Sequence, residues 1–288
     1  MIFVGDLKNP EGPVLLPDGN WALVEMHPER GWVLWLSADG KSRRVIARTG
    51  RPNGLTLDRH GVLWVAESMN PPSLLRMTLD GKHEVIATGD GAMPFLFPND
   101  LVFGRDGLLY MTDSGIRITE WRSLAPEERG RKRIDGRVFR IDTKTRKVER
   151  LDAGLHFANG IVFGPSDDLF VATTQDGKVW RYPKRGSGFA PRQLFADIRD
   201  PAKSGGFRGP DGMKFGLDGN LYVAAVNQGD VTIVSPDGKI VRRIQLHGPA
   251  PTNVCFGPKG SLKLYVTEQG VGNFEVYDVA ADGLPLHG

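Results

Sequence analysis

The chain predicts an all-β fold: a six-bladed β-propeller of four-stranded antiparallel blades, its ring closed by pairing of the N- and C-terminal strands. Three observations predict it. A short phrase recurs six times, each copy opening on an amide or a carboxylate: EGPVLLPDGNWALVE from Glu11, NGLTLDRHGVLWVAE from Asn53, NDLVFGRDGLLYMTD from Asn99, NGIVFGPSDDLFVAT from Asn159, DGMKFGLDGNLYVAA from Asp211 and NVCFGPKGSLKLYVTE from Asn253. The period is roughly 40–60 residues, which suits stacked or radial repeats. Each phrase reads as two short strands about a turn, two further strand-like runs follow, and helical periodicity is almost absent.

Each element has a local reason. In Asn53–Glu67 the segment GLTLD alternates, Gly61 marks a turn, and VLWVAE is rich in strand-forming residues. Pairs such as Asp18-Gly19, Asp80-Gly81 and Asp237-Gly238 punctuate hairpins, where Gly supplies positive φ. The runs SLLRMTL and HEVIAT complete the second unit. The opening IFVGDL is too short for a blade and is expected to pair with FEVYDV (Phe274–Val279), which removes two exposed edges. An insertion at about 116–135 contains PEERGRKR and reads as a solvated loop with one helical turn near Leu124–Arg129, either decoration or a lid. A second insertion, Ala190–Arg208, holds KSGGFRG and runs into Pro210-Asp211, a position that favours a role at the site.

Composition bounds the rest. The 288 residues are 40% hydrophobic and 25% charged, which supports a sizeable core, and the uninterrupted repeats predict a single domain over residues 1–288. The net charge of +3 comes from interleaved acids and bases, so no nucleic-acid partner is expected. The single cysteine, Cys255, allows no internal disulfide and no zinc cluster, and reads as a buried structural thiol. The start MIFVGDLKNP has no signal-peptide pattern and no apolar run has membrane-spanning length, so a cytoplasmic protein that does not bind membranes is expected, as a monomer or weak homodimer.

The opening residue of each phrase precedes an inner strand, which in a propeller lines the central channel. Glu11, Asn53, Asn99, Asn159, Asp211 and Asn253 would then ring one end. Two carboxylates and several amide oxygens are hard donors that suit a divalent cation. Asn and Asp before a strand are also ordinary turn formers. Glu11 breaks that explanation, because Glu does not mimic Asn in a local turn. Asn53 and Asn253 read as structural or supporting. The six histidines, at 27, 60, 83, 156, 247 and 287, are scattered, which argues against zinc-hydrolase chemistry. A second recurring position closes the second strand: Glu25, Glu67, Asp113, Thr173, Ala225 and Glu268. Of these, Glu67 and Asp113 are candidates for contact with a substrate at the channel mouth.

The order Glu11-Gly12-Pro13, Pro52-Asn53-Gly54, Pro98-Asn99-Asp100, Asn159-Gly160, Pro210-Asp211-Gly212 and Thr252-Asn253 resembles the SMP-30/gluconolactonase/LRE family of six-bladed propellers over nearly the whole chain. The resemblance implies a metal-dependent lactonase. It implies a divalent cation on Glu11, Asn159 and Asp211, with Asn99 joining them or touching substrate. Ca²⁺ is the first expectation, with Mg²⁺, Mn²⁺ or Zn²⁺ as alternatives. In the regucalcin branch an arginine stands two residues before the third-blade asparagine; here Phe97 stands there, in the run MPFLFP. The pocket wall is therefore expected to be more apolar than one built for a polyhydroxylated sugar lactone.

The expected reaction is opening of a lactone by water, with Asp211 or Glu11 as base and Asn99, Phe97, Asn53, Glu67 and Asp113 as substrate contacts. A non-catalytic metal- or ligand-binding propeller is the alternative from another class, and a phosphotriesterase-like hydrolase is the alternative among enzymes.

Overall fold

The structure, a computed structural model, describes residues 1–203 and 206–287. Six four-stranded antiparallel sheets form a six-bladed β-propeller. The inner strands run Pro10–Leu15, Pro52–Leu57, Pro98–Phe103, Ala158–Phe163, Gly209–Phe215 and Pro251–Phe256. Each is followed outward by a second strand of buried branched and aromatic residues, such as Leu63–Glu67 and Leu109–Asp113. The outermost strands, such as Arg43–Arg48 and His83–Ala87, are mostly exposed. Hydrophobicity thus falls from hub to rim, as burial requires. Neighbouring blades share mixed cores: Val14, Val24, Leu55 and Val65 of the first two blades pack in one cluster. Fully burying a side chain of this kind contributes about 1.5–3 kcal/mol.

The ring closes as expected. Ile2–Val4 pairs with Asn273–Asp278, Ile2 opposite Glu275 and Val4 opposite Phe274, as the fourth strand of the last blade. The aromatics that share one repeat position are packing residues: Trp64, Tyr110, Phe170 and Tyr222 are buried and Tyr265 is half-buried, and Tyr110 donates its hydroxyl to Asp106 at 2.7 Å.

The first insertion differs from expectation. It carries two helices, Ile118–Ser123 and Pro126–Arg129, where one turn near Leu124–Arg129 is predicted. Ile118 and Trp121 share a face and are buried, so a one-turn apolar repeat hides inside a charged segment. In the second insertion Ser204 and Gly205 lie outside the described residues.

Candidate active site at the hub

Pairing along the inner strands decides which side chains meet. Pro52 lies opposite Glu67 and Leu55 opposite Val65, so Asn53 and Gly54 stand against the single Ala66 in a bulge. The same one-residue excess recurs in every blade, and it aims the residue after Pro10, Pro52, Pro98, Ala158, Pro210 and Pro251 at the channel. Glu11, Asn53, Asn99, Asn159 and Asp211 therefore stand in one ring, as the sequence predicts. The sixth member is Thr252, not Asn253. Pro251 pairs with Glu268 and Asn253 with Thr267, so Thr252 takes the bulge and Asn253 falls one layer deeper. The longer hairpin of that blade had shifted the apparent phase of the repeat.

That deeper layer is filled from two positions. Four blades have Gly there (Gly12, Gly54, Gly160, Gly212); the others have Asp100 and Asn253. A Cβ on Gly54 would lie 2.7 Å from Asp100 Oδ1, and one on Gly212 would collide with the Asn253 amide. The glycines make room for these side chains beneath the ring. Asn253 Nδ2 donates to both Glu11 carboxylate oxygens at 3.2 Å, and the Gly12 N–H donates to Glu11 as well. Asp100 is missed by sequence reasoning. The available signal was an ionisable residue at a position glycine otherwise holds.

The ring amides are held in one orientation. Asn99 Nδ2 donates to Ser114 Oγ at 2.9 Å, and Ser114 Oγ donates to the Ala158 carbonyl at 3.0 Å. One blade on, Asn159 Nδ2 donates to Thr174 Oγ1 at 2.9 Å, and Thr174 donates to the Pro210 carbonyl at 2.8 Å. These hydroxyls tie adjacent blades together and turn the amide oxygens inward. Asn159 Oδ1 is buried without a hydrogen-bond partner.

Electrostatics at the hub are unfavourable as they stand. Burial, then the neighbouring Asp100 carboxylate, pushes Glu11 up to about 8, against the pull of Asn253, Gly12 and Lys214. Burial, then Glu11 and Asp100, raises Asp211 well above the usual carboxylate range. Burial raises Asp100, opposed by Lys214. Among the described residues no three His, Cys, Asp or Glu side chains converge as a metal cluster. The donor set at the ring is instead two carboxylates completed by amide oxygens. Two repelling carboxylates beside an orphaned amide oxygen fit a hard cation.

Above the ring lies a cavity of about 560 Å³, lined by Glu11, Asn53, Asn99, Asn159, Asp211 and Thr252 at its floor. Phe97, Trp121, Phe157 and Phe207 form its wall. Trp121, Phe157 and Phe207 meet pairwise with centroids 4.7–4.8 Å apart, and Phe97 packs edge-on to Phe157 at 5.7 Å. Both insertions therefore contribute to the mouth, one through Trp121 and the other through Phe207. Arg51, also missed in the sequence, enters the same cavity with its guanidinium 4.7 Å from the Phe97 ring centre.

Glu67 and Asp113, expected as substrate contacts, do not line this cavity. Glu67 accepts the Arg51 and Met69 N–H groups at 2.7 and 2.8 Å and the Thr49 hydroxyl. Asp113 accepts the Leu96, Phe97 and Gly115 N–H groups at 2.6, 3.2 and 2.8 Å. Their oxygens are occupied by backbone donors of the segment entering the inner strand, so they position the ring and do not face it. Cys255 is buried on its inner strand, and burial raises its thiol pKa, as suits a structural thiol.

At the far end of the channel a second cavity of about 660 Å³ is lined largely by apolar residues including Val14, Leu55, Val102, Leu284 and Leu286, together with Lys214. It is larger, and its two lining carboxylates, Asp58 and Asp282, accept backbone N–H groups of nearby turns.

A closed six-bladed propeller with two carboxylates and oriented amides at one mouth defines a class of hub-centred propellers. Within it, the chain belongs to the SMP-30/gluconolactonase/LRE-like family, whose model matches residues 9–270. It is 27% identical over 277 residues to a gluconolactonase of Zymomonas mobilis, covering 90% of this chain and 76% of that protein. It is 27% identical over 283 residues to the diisopropyl-fluorophosphatase of Loligo vulgaris, covering 91% and 86%. The solved structure of a gluconolactonase from Xanthomonas campestris superposes with a TM-score of 0.78 at 21% identity, covering 96% of this chain and 88% of that one. No helix among the described residues is long and apolar enough to cross a membrane.

Proposed function

We propose that this protein is a divalent-metal-dependent hydrolase that opens a lactone ring, acting on a small molecule bound in the front cavity. The observation that carries the reading is the hub itself: burial and Asp100 push Glu11 up, and burial, Glu11 and Asp100 push Asp211 up, beside an unpartnered Asn159 oxygen, an arrangement that a cation relieves. Family membership and the gluconolactonase relative support the reaction class.

Glu11, Asn99, Asn159 and Asp211 would hold the ion, and their all-oxygen character favours Ca²⁺. When bound, such an ion supplies Lewis-acid polarisation of the carbonyl and a more acidic water. The chain's own groups do the rest. Asp211, at the cavity floor, takes a proton from the attacking water and returns it to the ring oxygen as the acyl C–O bond breaks, giving a hydroxy acid. Glu11 is the second acidic group at the floor, held by Asn253 and the Gly12 N–H. Asn53 and Asn99 face the substrate from the floor, and Phe97, Trp121, Phe157 and Phe207 limit access of bulk water.

The aromatic wall also suits an organophosphate, the substrate class named by the Loligo vulgaris relative. Phosphotriester hydrolysis stands as the second reading. A lactone panel read with a pH indicator, with and without Ca²⁺, Mn²⁺ and Zn²⁺, tests the proposal. Activity that survives complete chelation would overturn it.

A further inference from the structure

Arg51 is the group at this cavity that the proposed reaction leaves without a task. It sits two residues before Asn53, as Phe97 does before Asn99. Its guanidinium is held against the Phe97 ring, and Nη1 donates to Ser68 Oγ at 3.2 Å. A guanidinium has five N–H donors in a fixed fork. Among the described residues no other side-chain hydrogen bond and no ion pair engages this one, and its Nε is buried without a partner. Arg122, from the helix Ile118–Ser123, reaches the rim of the same cavity, and its guanidinium makes no hydrogen bond or ion pair among the described residues. Arg129, the third arginine here, lies over Trp121 and donates to the Trp121 and Arg122 carbonyls, so it builds the wall.

The charges decide what such a cavity accepts. Arg51 is lowered to about 9 by burial and by repulsion from Arg122, with Glu67, Glu11 and Asp211 opposing, so it remains a cation at neutral pH. A divalent ion at the floor neutralises Glu11 and Asp211. Beneath it, Asp100 and Lys214 attract each other. Glu67 attracts Arg51 without an ion pair, so among the described residues the two guanidinium groups, one in the wall and one at the rim, have no carboxylate in contact with them. Placing like charges toward a common space is costly unless an anion enters between them. Arginine forks match planar oxyanions bidentately. The apolar face of Phe97 presets the Arg51 plane and so lowers the ordering cost of that contact.

We propose that the substrate is an anionic lactone, whose ester carbonyl lies at the hub and whose carboxylate or comparable oxyanion is clamped by Arg51 with help from Arg122. This rests on the lactonase reading and narrows it from lactones in general to acidic ones. It also accounts for a cavity with an aromatic wall and yet a buried guanidinium set in it.

The test uses the Ca²⁺-loaded full chain and two lactones that differ at one end: the monolactone of glucaric acid, with a free carboxylate, and the γ-lactone of gluconic acid, with a hydroxymethyl group there. The wild-type protein should favour the acidic lactone at least tenfold in kcat/KM. Arg51→Met should bring that ratio close to one, and Arg122→Gln, at an exposed position with little risk to folding, should lower it about threefold. Equal turnover of the two lactones, a preference for the neutral one, or an Arg51→Met ratio unchanged from wild type overturns the clamp and leaves the lactonase reading intact. If neither lactone opens, the lactonase reading fails for this class, and calorimetric titration with the same two unopened lactones judges the clamp alone. Tighter binding of the acidic lactone that Arg51→Met abolishes supports it, and equal affinities overturn it.

Discussion

Two rings of polar side chains run around this propeller, about one strand apart, and they behave in opposite ways. The inner ring holds Glu11, Asn53, Asn99, Asn159, Asp211 and Thr252 at the cavity floor. The other, at the ends of the second strands, holds Glu25, Glu67, Asp113 and Glu268, all buried. In the outer set Glu67, Asp113 and Glu268 are occupied by backbone donors, while Glu25 accepts Lys8 N–H and Arg30 through Oε1 alone. Glu268 accepts the Ala250, Gly270 and Val271 N–H groups at 2.6, 3.0 and 2.7 Å, a pattern shared with Glu67 and Asp113. In the inner set, carboxylates face carboxylates. Burial alone therefore does not distinguish a chemical group from a structural one; the fate of its lone pairs does.

The largest expected effect falls on the inner ring. Asp211→Asn and Glu11→Gln should each lower kcat about 10²–10⁴-fold, and weaken Ca²⁺ binding in parallel, with the thermal midpoint of the cation-free protein unchanged or raised. Loss of activity with full metal affinity would separate the two roles and break the pairing of base with ligand.

The outer ring should respond in stability first. Asp113→Ala or Glu67→Ala strands two or three buried N–H donors and should cost about 2–4 kcal/mol, read by urea denaturation. Residual activity of the folded fraction should fall far less than in Asp211→Asn. An Asp113→Ala protein of normal stability and no activity would show that the outer ring touches substrate after all.

This contrast marks the boundary of what the sequence conveys. The repeat phrase exposed the blades, the ring closure and five of the six hub positions, because hydrophobic alternation and turn residues are local. It did not separate the two rings, because Glu67 and Glu11 are the same residue type in similar phrases, and only strand pairing and the bulge decide where each points. The phase error at Asn253 has the same origin: Thr252 takes the hub position through its pairing, not through its chemistry. Arg51 and Trp121 were hidden for another reason. Their neighbours, Phe97 on another blade and Phe207 in another insertion, are distant in sequence.

The inner ring also predicts a pH dependence that the outer ring should not dominate. Glu11 ionises at about 8 in the folded, cation-free protein, against an ordinary value of 4.5. Between those values the folded state binds more protons than the unfolded one, so stability falls with rising pH. The contribution from neutral Glu11 is complete below about 4.5 and is lost as pH rises through 8. In chelator the thermal midpoint should decline across this window, Glu11→Gln should flatten the decline, and Ca²⁺ should remove it. A cation-free midpoint that climbs through the window would mean that Glu11 is already ionised and paired.

The smallest effect sharpens the comparison most, because it concerns groups that touch neither cation nor substrate. Ser114 and Thr174 receive the Asn99 and Asn159 amides and anchor to the next blade. Without the hydroxyl, the amide can rotate and present N–H to the hub in place of oxygen. Ser114→Ala and Thr174→Val should each weaken Ca²⁺ binding about tenfold, the low end of losses seen when groups supporting a metal ligand are removed. A purely structural hydroxyl would instead lower the midpoint equally with and without Ca²⁺. Calorimetric affinity combined with melting in both states distinguishes the outcomes. A change in midpoint that is independent of Ca²⁺, with affinity intact, would place these hydroxyls with the strand-end carboxylates, as fasteners between blades and not as part of the site.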